Sequence, residues 1–119
     1  MMSEVNAIEK IFTWFANTMV AIKNKTEEEY ELMKLYDELQ EKLKQFGFDN
    51  EPSVSYDEYL TDTIISGYDY YKYYIIHETH KVSEVKSNKT YLVHIYLLKC
   101  STPYEDKYSL RRILVEEVI

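Results

Sequence analysis

At 119 residues the chain is the size of one domain, and its 45% apolar and 29% charged content is an ordinary globular make-up that argues against disorder. The net charge of −7 is spread along the chain with no basic tail or block, which weighs against nucleic-acid binding by phosphate neutralisation. Two glycines cannot furnish a glycine-rich phosphate loop, and the single cysteine, Cys100, forms no internal disulfide, so a reducing cytoplasmic setting is expected.

The first half reads as two helices. Val5, Ile8, Phe12, Phe15, Met19 and Ile22 recur at alternating spacings of three and four, one stripe of a helix that Ser3 can N-cap. Ile11 and Trp14 widen the stripe, and Asn24-Lys25 breaks it. Thr26-Glu27-Glu28-Glu29 matches a capping box, followed by the apolar stripe Leu32, Leu35, Leu39, Leu43 and Phe46, with Gly47 placed to end the helix. So short a connection makes the two helices an antiparallel hairpin over about 3–47.

After Glu51-Pro52 the periodicity changes. Residues 53–66 fit either a short helix opened by Ser55-Tyr56-Asp57-Glu58 or a strand. Five tyrosines crowd the stretch 68–74, and the β-branched and aromatic density from Asp69 to Val82 predicts a strand. Ser87-Asn88 predicts a turn, Thr90–Cys100 a second strand, and Thr102-Pro103 another turn. The tail Lys107–Val118 fits helix or strand; a strand is favoured because the turn before it is short enough for a meander. The expected fold is one α+β domain, a helical hairpin packed on a three- to four-stranded antiparallel sheet spanning about 53–119.

Both faces of that sheet are apolar, which a half-solvated antiparallel sheet should not be. Two helices cover one face, so the other needs the remaining chain or another molecule. Tyr70, Tyr74, Ile76, Tyr96 and Leu98 are the residues expected at such a dimer or partner interface. The same tyrosines Tyr70, Tyr74 and Tyr96 could stack bases of a single-stranded nucleic acid, a role the acidic charge disfavours.

Other constellations carry less. His77-Glu78-Thr79-His80 lacks the spacing of the zinc-protease helix motif, and on a strand its two histidines point to opposite faces. A turn at Ser87-Asn88 would bring His80 roughly opposite His94 with Glu78 on their face, a conceivable two-histidine metal site whose plainer reading is ordinary sheet histidines. Cys100 beside His94, or Tyr108 as a nucleophile, has no supporting motif. No catalytic residue, cofactor or bound metal is therefore expected. Glu27, Glu28, Glu31, Glu38 and Glu41 line the outer side of the second helix, an acidic surface suited to a basic groove on a partner.

No run of apolar residues is long enough to span a membrane, and the opening segment, with Glu4 and Glu9, does not read as an export signal. High tyrosine, isoleucine, lysine and glutamate with little glycine or proline resembles the small orphan proteins of viruses and mobile elements; the resemblance is one of composition and assigns no residue. The reading is a non-enzymatic, homodimeric binding protein with a protein partner of unknown identity, an acidic inhibitor of a host nucleic-acid-handling or defence protein.

Overall fold

The computed structural model describes residues 3–25, 29–51 and 55–119. Two helices, α1 (Glu4–Lys25) and α2 (Glu29–Gln45), precede five strands, β1 (Phe48–Asn50), β2 (Ser55–Ser66), β3 (Asp69–Glu84), β4 (Thr90–Ser101) and β5 (Asp106–Val118). The α+β class is as expected. The capping box at Thr26–Glu29 lies outside the described side chains.

α1 begins where Ser3 can cap it: its hydroxyl accepts from the Asn6 amide at 3.2 Å, and its carbonyl accepts from Ala7 at 3.0 Å. Ile8, Ile11, Phe12, Phe15, Ala16 and Met19 are buried on one side, with Leu35, Leu39 and Leu43 of α2 meeting them. Trp14, half-buried, packs against the edge of this core as the widened stripe predicts, under the Lys42 ammonium 4.7 Å from its ring centroid. Phe46, expected on the α2 stripe, is 62% exposed. The helix ends at Gln45, and Gly47 takes a φ of +84°, a left-handed conformation nearly free of cost only for glycine. That reversal turns Phe46 outward and buries Phe48 in its place.

All pairing in the sheet is antiparallel. β3 and β4 form its centre, β5 flanks β4, and β1 and β2 both pair with the far side of β3. This shared edge explains five strands where three or four were expected: β1 takes Val82–Glu84, and β2 takes Asp69–Thr79. The stretch from Ser55 to Ser66 is therefore strand, not helix, and so is the tail. Gly67, at φ +63°, occupies the first of the two loop positions between β2 and β3, where this hairpin class needs a positive φ. Asn88, at φ +58°, serves the β3–β4 turn.

Helices cover one face of the sheet. Ile76 and Val82 of β3, with Tyr91, Val93, Ile95 and Leu97 of β4, join the helix residues in a single core. α1 runs against β5, and its Asn24 amide clasps that strand: Nδ2–H donates to the Tyr108 carbonyl at 2.8 Å, and Oδ1 accepts from the Tyr108 N–H at 2.7 Å. The molecule is long, 57 × 30 × 26 Å, because the β2–β3 hairpin runs past the helical layer. Every residue of β2 is exposed.

Phe15 is fully enclosed at the helix–helix–sheet junction, in edge contact with Phe12. Phe15→Ala is expected to cost about 3–5 kcal/mol, with an unchanged m-value in urea unfolding; a loss below about 1 kcal/mol would contradict the packing described.

Candidate functional site

The second face of the sheet meets no described element. Register fixes its composition: Ile75, His77 and Thr79 of β3 point outward with Leu92, His94, Tyr96 and Leu98 of β4, none of them fully buried. β5 adds Leu114, and β2 adds Tyr59 and Ile64, while Tyr71 extends the surface along β3. The result is an aromatic and aliphatic surface without a cover, the kind of patch that marks an interaction site.

Its centre is ordered by ring stacking and hydrogen bonds. The His77 ring lies parallel to Tyr96, 4.5 Å between centroids and 3° apart, and 5.1 Å from His94. His94 Nε2 is 3.1 Å from a Glu116 oxygen, so a neutral His94 carries its hydrogen there, leaving Nδ1 as an acceptor. His77 Nε2, 2.9 Å from that Nδ1, is then the donor, with the Thr79 hydroxyl 3.2 Å away. In that tautomer donation runs one way, from His77 through His94 to Glu116.

Several expected groupings change. His80 stands opposite Val93, and His94 opposite Thr79, so His80 and Glu78 face the helices while His94 faces out. One residue of register separates the two outcomes, because side chains alternate faces along a strand. The pair His80/His94 therefore does not form, and His77 is the imidazole that meets His94. The interface set also divides: Ile76 pairs with Leu97 and is 2% exposed in the core, whereas Tyr96 and Leu98 lie on the open face.

Tyr70 and Tyr74 share the helix-side face with Ile76 but sit beyond the helices, each beneath a lysine, Lys72 and Lys99. Tyr70, Tyr74 and Tyr96 hence make no common platform. The outward aromatics of the hairpin are Tyr59, Tyr71 and Tyr73, which alternation does not single out because it cannot say which face of β3 continues which face of β4. Cys100 shares a face with His94 but stands six residues along the strand, about 20 Å away, too far for a nucleophile–base pair. Glu31, Glu38 and Glu41 are exposed on α2 among Lys34, Lys42 and Lys44, and Glu27 and Glu28 lie outside the described residues.

A second polar cluster is enclosed. Tyr36 of α2 donates its hydroxyl hydrogen to Glu78, and His80 Nε2 lies 3.0 Å from the other Glu78 oxygen. Glu78 is 5% exposed and His80 fully buried among Phe12, Phe15 and Tyr36. The adjoining cavity, bounded by Tyr36, Glu78, Met19 and Tyr56, is about 90 Å³, well below the ~300 Å³ at which metabolite pockets begin. The cluster joins α2 to β3. Among the described residues, no group of three His, Cys, Asp or Glu side chains is arranged so that it could hold a metal ion.

Glu78→Ala would strand the Tyr36 hydroxyl and the His80 N–H in the core, an expected loss of about 3 kcal/mol in urea unfolding. Replacing all three residues together with Phe, Leu and Leu should recover much of it, since no polar group is then orphaned. Burial, then the neighbouring carboxylate, pushes the Tyr36 phenol up beyond the ordinary range and the Tyr91 phenol, next to Glu4, up to about 12. Both ionise later folded than unfolded, so their contribution is complete below the ordinary tyrosine pKa of about 10 and is lost as pH rises through the folded values. Urea midpoints should therefore fall above about pH 10, and Tyr36→Phe should flatten that decline; an equally steep fall in the variant would remove Tyr36 as its cause. Compared with known protein families, curated proteins and solved structures, the chain matches none.

Proposed function

We propose that the chain is a non-enzymatic binding protein that works through the open face of its sheet, with a second copy of itself as first partner, in a reducing cytoplasmic compartment where Cys100 stays a thiol. What supports the reading is the uncovered aromatic surface centred on His77 and Tyr96, held in place by stacking before any partner arrives. Rigid aromatic rings lose little conformational freedom on binding, which makes such a surface efficient for association.

A further contact surface is supported by α2, whose Glu31, Glu38 and Glu41 lie on the side of the molecule away from the open face and stay accessible in such a dimer. An acidic inhibitor of a host nucleic-acid-handling protein, as in viruses and mobile elements, would use this side. Its carboxylates alternate with Lys34, Lys42 and Lys44, so the array is not continuously negative, and the sheet face carries the proposal.

Light scattering over a wide concentration range is expected to give twice the 14.3 kDa of one chain. Tyr96→Glu, which places a charge in the middle of the face, should return the protein to a single, still folded chain. A native protein that stays at the one-chain mass throughout would end the self-association reading. Salt-sensitive binding of short single-stranded RNA would favour nucleic acid as the partner instead.

A further inference from the structure

The charges of the open face are sorted by strand. On β2, at one edge, the outward residues include Asp57 and Asp62 and no cation. On β5, at the other, they include Lys107 and Arg112, with Glu116 at the far end. The two central strands contribute rings and aliphatic side chains, with Lys81 and the two imidazoles the only basic groups among them.

Pairing aligns these charges in rows across the sheet. Asp57 is opposite His77, His77 opposite Tyr96, and Tyr96 opposite Arg112. Four residues further along the central strands, Asp62 is opposite Tyr73, Tyr73 opposite Cys100, and Cys100 opposite Lys107. Each row runs from a carboxylate on β2 to a cation on β5. All four charged residues are exposed, and among the described residues Asp57, Asp62 and Arg112 have no ion-pair partner.

We infer that the second copy lies face to face on this surface, related by a two-fold axis along the strands, so that Asp57 meets the partner's cation at Arg112 and Asp62 the one at Lys107. The inference rests on the self-association reading above and specifies its geometry. Rotation about that axis keeps each row at its level and exchanges its ends, laying β2 over β5 and β3 over β4. Both pairs on each edge then form together. A two-fold axis across the strands would instead lay β2 on β2 and β5 on β5, setting carboxylates against carboxylates and cations against cations. Edge-to-edge pairing is opposed by the same repulsion and by bulges at Thr61 in β2 and Arg111 in β5.

The size is adequate. Four strands spaced ~4.8 Å apart and about twelve residues long give a face of roughly 750 Å², and a standard specific interface covers about 800 Å² on each partner. Apolar centre and charged rim match the usual anatomy of such contacts. Stacked sheets cross at about −30°, an offset that the long Arg112 and Lys107 side chains can span.

Sedimentation equilibrium of Asp57→Arg, Arg112→Asp and the double exchange tests the arrangement. Each single variant should weaken the dimer on the order of tenfold at low salt, the double exchange should return it to within about threefold of native, and added salt should shrink the difference. Spin labels on Cys100 give an independent reading: the strand-parallel axis puts the two Cα atoms about 11 Å apart, whereas a crosswise axis through the Tyr96 row separates them by about 28 Å. A dimer indifferent to both single variants, or one with the longer separation, overturns this geometry and leaves self-association standing. A native chain that never dimerises overturns both.

Discussion

The pairing of Ile76 with Leu97 across β3 and β4 is the constraint on which the other contacts depend. With that register, Ile76, Glu78, His80 and Val82 fall on the same side as Tyr91, Val93, Ile95 and Leu97, and the helices find one apolar surface to cover. A shift by one residue would place His77 and Thr79 under α1 and α2 and expose Ile76 and Val82. The cost would be several buried aliphatic side chains at about 1.5–3 kcal/mol each, so the register is firmly held. The composition of the open face follows from the same choice. His77 meets Tyr96 because Ile76 meets Leu97.

The enclosed Tyr36–Glu78–His80 cluster is the main polar intrusion into this core. A carboxylate taken from water needs donors, and here each oxygen has one, from α2 and from its own strand. Such a network adds little net stability compared with an apolar replacement, yet it distinguishes positions along a helix that leucines alone would leave interchangeable. Tyr36 reaches Glu78 from one place on α2. The hydrogen bond therefore sets how far α2 slides along the sheet.

The helices were legible because their information is local. Ser3 and the 3.6-residue spacing from Val5 to Ile22 mark α1, and Gly47 marks the end of α2. Turns at Ser87-Asn88 and Thr102-Pro103 were equally readable, each carrying its own backbone chemistry. What local pattern could not supply was the match between strands. β3 and β4 are apolar on both faces, so alternation gives two equivalent pairings, and the loop from Val85 to Lys89 decides between them. That is why His80, rather than His77, was expected near His94, and why Tyr70 and Tyr74 were grouped with Tyr96. β1 escaped notice for another reason: three residues with one buried side chain, Phe48, leave no periodicity to detect.

The Asn24 clasp on Tyr108 reaches beyond the attachment of α1. The N–H and carbonyl that Tyr108 turns outward from the sheet are those an incoming strand would use as its template. A side-chain amide already satisfies both, imitating one rung of a neighbouring strand. Lateral growth of the sheet past β5 is thereby stopped at its start, as a terminal tile with a finished border ends a row. The proposed stacking about a two-fold axis would then close at two molecules, where ribbon growth past this edge would have no natural end.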